Sequence, residues 1–116
     1  MKKFIFYWLP FFIWSGFLYY LSSRPAYFFP KTNIPFSDKI VHVFEYIVFS
    51  ILLFRALKAY IKNFKYIFII FIVLYCTVVF GMIDELHQAF VPGRNAAMPD
   101  LVSDMLGAII GITLIR

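Results

Sequence analysis

The chain alternates long apolar runs with short polar ones. Phe4 to Leu21, Ile40 to Leu57 and Phe64 to Ile83 each approach the ~20 apolar residues that carry a helix across a ~30 Å hydrocarbon core. A fourth run, Leu101 to Ile115, is shorter and spans only if Pro99 and Asp100 sit at the interface. With their flanks, the predicted spans are residues 4–23, 39–57, 64–86 and 99–115. This pattern predicts an all-α polytopic membrane protein, a four-helix transmembrane bundle forming one domain over residues 1–116. Lys2 and Lys3 precede the first run as in a signal peptide. That run exceeds the usual h-region of about 7–15 residues, and Ser22-Ser23-Arg24-Pro25 is a poor cleavage site, so it is read as a retained span.

Composition supports lipid as the solvent. Of 116 residues, 63% are hydrophobic and 15% charged, with a mean hydropathy of +0.84, more apolar surface than a soluble domain this small can hide. Sixteen Phe and eight Tyr suit acyl chains and headgroup level. Cys76 is the single cysteine and lies inside an apolar run, which excludes a disulfide and a thiolate metal site. The net charge of +5 comes from bases beside the apolar runs, so it reads as an orientation signal and no nucleic-acid partner is expected.

Four spans place Lys2, Lys3, Arg55, Lys58, Lys62, Lys65 and Arg116 on one side, and Arg24, Lys31, Lys39 and Arg94 on the other. Seven bases against four predict that both termini are cytoplasmic. All six carboxylates (Asp38, Glu45, Asp84, Glu85, Asp100 and Asp104) and both histidines, His42 and His87, lie toward the opposite face. The first outer loop carries Pro25, Pro30 and Pro35 around Tyr27, Phe28 and Phe29, which predicts an irregular segment against the headgroups. Aromatic runs such as Phe11-Phe12 are expected to face lipid.

Candidate chemistry concentrates at the outer end. Asp38, His42 and Glu45 share one face of the second helix, with Glu45 about 10 Å deeper than Asp38 at 1.5 Å per residue. A carboxylate at that depth needs protein or trapped water beside it, which marks a site, and Tyr46 offers a neighbouring hydroxyl. The third helix ends in Asp84-Glu85-Leu86-His87-Gln88, with Asp84 and Gln88 on one face, and Pro92-Gly93 then turns the chain. The fourth starts at Pro99-Asp100, and Asp100, Asp104, Gly107 and Gly111 form one stripe whose inner half is a G-x-x-x-G for close helix contact. Turning these stripes inward predicts an outward-facing polar pocket with Arg24 and Arg94 as counter-ions.

Three motifs in order, Asp38-Lys39-x-x-His42-x-x-Glu45-Tyr46, Asp84-Glu85-x-x-Gln88-x-Phe90-x-Pro92-Gly93-Arg94 and Asp100-x-x-x-Asp104-x-x-Gly107-x-x-x-Gly111, resemble the VanZ-like membrane proteins. The resemblance covers nearly the whole chain. It implies a multi-pass protein of the bacterial cell membrane, associated with resistance to teicoplanin and related glycopeptide antibiotics. Where many members carry a small hydroxyl residue, this chain has Ala97.

Two functional classes stay open. In the first, the pocket binds an envelope lipid or headgroup through Arg24, Asp38, Lys39, Tyr46, Gln88, Arg94, Asp100 and Asp104. In the second, an intramembrane enzyme acts on a lipid-linked or phospholipid headgroup, with His42, Glu45, Asp84 and Glu85 as acid/base candidates. His42, Glu45 and His87 are also candidate ligands for a divalent metal cofactor, although no established metal motif is present. No serine or cysteine is placed as a nucleophile, Ser103 included. A transporter fits poorly, because no polar residue continues the path through the cytoplasmic half. A purely structural network that fixes helix register is the alternative to a site, but six carboxylates face only Arg24, Lys31, Lys39 and Arg94. Allowed partners are the lipid bilayer, an envelope lipid and a second copy of the chain.

Overall fold

The computed structural model describes residues 2–23, 37–61, 63, 65–91 and 98–115, with the backbone alone for 37–39 and 98–100. Among the described residues the regular structure is four α-helices: α1 (Lys2–Ser22), α2 (Ser37–Tyr60), α3 (Tyr66–Gln88) and α4 (Met98–Ile115). α1, the Ile40–Tyr60 part of α2, and α3 are each long and apolar enough to cross a bilayer; the apolar part of α4, Leu101–Ile115, is shorter. α2 continues beyond the apolar run to Tyr60, since Arg55, Ala56, Leu57 and Lys58 all favour helix. α4 opens with Pro99 in its first turn, where a missing N–H leaves no bond unmade.

The helices alternate in direction, giving the bundle two distinct ends. At one end Lys3 sits 4.8 Å from the ring centre of Tyr60, and Lys58 Nζ donates to the Tyr66 hydroxyl at 2.7 Å. We call this the basic end. At the other, the acidic end, Ser22 Oγ meets the Asp84 carbonyl at 3.5 Å and Tyr19 stacks on His87. The long dimension is 45 Å, enough to cover the hydrocarbon core and both interfaces.

α2 is the hub. It packs on the other three helices, whereas no Cα of α1 lies within 8 Å of one of α4 among the described residues. The α2–α4 seam is the most intimate, and glycine makes it so. A Cβ on Gly107 would strike the Val43 carbonyl oxygen and lie 3.1 Å from Tyr46 Cβ. One on Gly111 would strike Ser50 Oγ and lie 2.7 Å from the Ile47 carbonyl oxygen. The G-x-x-x-G stripe therefore lets the α4 backbone rest on that of α2. Tyr46, Phe49, Leu53, Phe54, Val73 and Ile112 form the apolar core behind it.

α1 is the least enclosed helix, and Phe4, Phe6, Phe12, Ile13 and Phe17 are exposed on it. Phe12 thus matches a lipid-facing aromatic, but Phe11 does not: it is half-buried, 5.2 Å from the ring of Phe49. Adjacent residues differ by about 100° around a helix, so two neighbours cannot both face outward squarely. α1 also contains Pro10, whose missing N–H deprives the Phe6 carbonyl of its helical donor. Arg55 Nη2 supplies one instead, at 2.8 Å, with its guanidinium over the rings of Phe6 and Tyr7. A backbone acceptor that lipid cannot satisfy is thereby bonded.

Candidate functional site

The acidic end gathers polar side chains from all four helices. Asp104, 1% exposed, comes from α4 one turn before Gly107 and owes its depth to the close α2–α4 seam. Its Oδ1 lies 2.8 Å from His42 Nδ1 on α2. With the proton on Nδ1, the imidazole donates to the carboxylate, which fixes ring orientation and tautomer. The other Asp104 oxygen lies against α3 at Gly81, where an added Cβ would stand 2.9 Å away. Asp84, 6% exposed, accepts from the Tyr46 hydroxyl at 3.0 Å, and both Asp104 and His42 stand within electrostatic range of it. Two acid-centred pairs thus lie side by side in the interior.

Toward α1 the pattern changes from pairing to shortage. Tyr19 stacks on His87 with ring centres 4.6 Å apart, and its hydroxyl is 3.5 Å from His87 Nδ1. Trp14 Nε1 donates to the Glu45 carbonyl at 2.9 Å and ties α1 to α2 beside the cluster. Among the described residues, three buried polar atoms here have no hydrogen-bond partner within 3.5 Å: Asp84 Oδ1, Glu85 Oε1 and His87 Nε2. Each such atom costs about 1–3 kcal/mol relative to a bonded one. All three belong to the last five residues of α3.

The structure brings His42, Glu45, Tyr46, Asp84, Glu85, His87, Gln88 and Asp104 to the same end of the bundle, with Tyr46, Asp84, Gln88 and Asp104 buried and the others half-buried. Glu45 acts electrostatically on Tyr46. Arg24, Lys31, Arg94 and the side chains of Asp38, Lys39 and Asp100 lie outside the described residues. Of the candidate metal ligands, His42 pairs through Nδ1 with Asp104 and His87 stacks on Tyr19. Among the described residues no three His, Cys, Asp or Glu side chains meet closely enough to hold a metal ion. Tyr19, Ser22 and Gly81 are participants that the polar pattern alone does not single out. For the first two the available signal was i, i+3 spacing at the end of the first span. For Gly81 it was a glycine one turn before Asp84 in an otherwise apolar helix.

The arrangement offers hydrogen-bond acceptors in excess of donors, plus one carboxylate–imidazole pair able to hold or move a proton. No curated protein and no solved structure matches the chain. A family model described as VanZ/LLP1 matches residues 2–116, so this multi-pass membrane protein belongs to the VanZ/LLP1 family.

Proposed function

We propose that the acidic end holds the polar headgroup of an envelope lipid at the outer leaflet, and that this binding contributes to teicoplanin-type glycopeptide resistance. The observation that carries the reading is the set of partnerless buried atoms on α3, Asp84 Oδ1, Glu85 Oε1 and His87 Nε2. A network serving only helix register gains nothing from such atoms, since apolar residues would fill the same volume at lower cost. Two of the three are carboxylate oxygens, so the favoured ligand is rich in donors: a headgroup bearing hydroxyls or an ammonium. The outer-leaflet placement rests on the Lys/Arg asymmetry, which puts the basic end in the cytoplasm. Sequestering or screening such a headgroup would alter how glycopeptides reach their surface targets.

A second reading, an intramembrane enzyme acting on a lipid-linked or phospholipid headgroup, is favoured by the His42–Asp104 pair. A carboxylate-oriented imidazole is a common form of general base. The test of the first reading is teicoplanin susceptibility of cells expressing the protein, Glu85→Gln and His87→Phe, at matched membrane levels. The protein should raise tolerance and both variants should lose the effect. Equal tolerance from all three would remove the acidic end from any resistance role. A loss with His42→Gln alone would move the assignment to the enzyme.

A further inference from the structure

The basic end carries polar groups of opposite charge. A cavity of about 360 Å³ opens there between α1, α2 and α4, lined by Tyr7, Phe54, Arg55, Lys58, Ala59 and Ile115. Among the described residues no Cα of α1 lies within 8 Å of one of α4, which leaves a strip of α2 between them behind the cavity. Phe44, Val48, Ile51, Arg55 and Lys58 recur at i+4, i+3, i+4 and i+3, which places them on one stripe of α2. Phe44 is exposed and Val48 and Ile51 are half-buried. The stripe is apolar along its length and ends in two cations, the profile of a phospholipid.

Charge supports the same occupant. Arg55 bonds the Phe6 carbonyl and lies over two aromatic rings; Lys58 bonds the Tyr66 hydroxyl and lies 4.9 Å from that ring's centre. Every one of these partners is neutral. Among the described residues no carboxylate side chain stands at this end: Glu45, Asp84, Glu85 and Asp104 all lie toward the acidic end. The Phe6 contact also holds the guanidinium in place while engaging only part of its donor fork, which leaves planar N–H groups for a phosphate.

We infer that the α1–α4 gap seats an anionic phospholipid, its phosphate on Arg55 and Lys58 and an acyl chain along the Val48–Ile51 stripe. The site is independent of the acidic-end reading, using the opposite end, other residues and the opposite charge. Native mass spectrometry of the full chain in mild detergent tests it, with phosphatidylglycerol and phosphatidylcholine of identical acyl chains as probes. Two cations at headgroup level predict a preference for phosphatidylglycerol of roughly 30-fold. Lys58→Gln should lower its retention by about fivefold. Arg55→Gln is best made with Pro10→Ala, which returns a helical donor to the Phe6 carbonyl, and should lower retention similarly. Lys2→Gln with Lys3→Gln, at the same end but outside the gap, should leave retention unchanged. Equal retention of the two lipids, or equal loss from the Lys2/Lys3 pair, would overturn the site. Displacement of the lipid by millimolar inorganic phosphate would overturn the lipid assignment and leave a soluble-anion site.

Discussion

The two ends of this bundle are both polar, and they achieve it in opposite ways. At the basic end the cations lie over aromatic rings and bond backbone or hydroxyl oxygens at an exposed periphery. At the acidic end carboxylates are drawn inside, bonded to a tyrosine and a histidine, with three further polar atoms buried and unbonded. The periphery tolerates the loss of a partner because water or headgroups replace it; the interior does not. The acidic end therefore carries a cost that solubility or orientation alone would not require.

The largest effect should come from the seam that holds the acidic end together. Gly111→Leu must force the α4 backbone off Ile47 and Ser50, a steric change of about 3 kcal/mol or more. Gly16→Leu, with nothing within 4 Å of its Cβ position, should leave thermal unfolding in detergent within about 0.5 kcal/mol of the parent. If the two substitutions cost the same, the seam is not what places Asp104. Within the cluster, Asp104→Ala removes the carboxylate that faces His42 Nδ1 and should cost about 1–3 kcal/mol. Asp104→Asn keeps an acceptor for Nδ1 and should cost less, a difference readable from the same unfolding curves. Tyr46→Phe removes the donor to Asp84 and should cost about 1 kcal/mol, the range of interhelical bonds in membranes.

Smaller effects belong to the other end. Arg55→Gln should destabilise α1 in the parent but much less with Pro10→Ala, a coupling of about 0.5–1 kcal/mol in a double-mutant cycle. Lys58→Gln should shift stability by no more than about 0.5 kcal/mol, since its partners are an exposed ring and hydroxyl. A larger penalty there than at Tyr46 would reverse the contrast between the ends.

Most of the fold is legible in the sequence because the bilayer sets one ruler for every span. The apolar runs mark α1, α2 and α3 closely, and G-x-x-x-G marks the α2–α4 seam because only small residues permit that approach. The depth of Asp104 and Asp84 follows from stripe positions. What was not legible is which groups pair. His42 meets Asp104 and Tyr46 meets Asp84 through the rotation and offset of α4 against α2 and α3, which spacing within one helix does not fix. The roles of Tyr19, Ser22 and Gly81 depend on α1 and α4 packing on α3, and the Arg55–Phe6 bond on a carbonyl orphaned four residues before Pro10.

A ligand held at the acidic end, beyond a packing network, should depend on the α3 carboxylates. Lipidomics by native mass spectrometry on gently purified protein tests it most directly, comparing the parent with an Asp84→Asn, Glu85→Gln double variant. Both changes keep shape and much of the hydrogen bonding, and neutralising a buried carboxylate lowers its desolvation cost, so the variant should fold at least as stably. A lipid with a hydroxyl- or ammonium-bearing headgroup should co-purify with the parent and be lost from the variant, while lipid at the basic end stays. An identical lipid profile for the two proteins, with the variant folded, would contradict it.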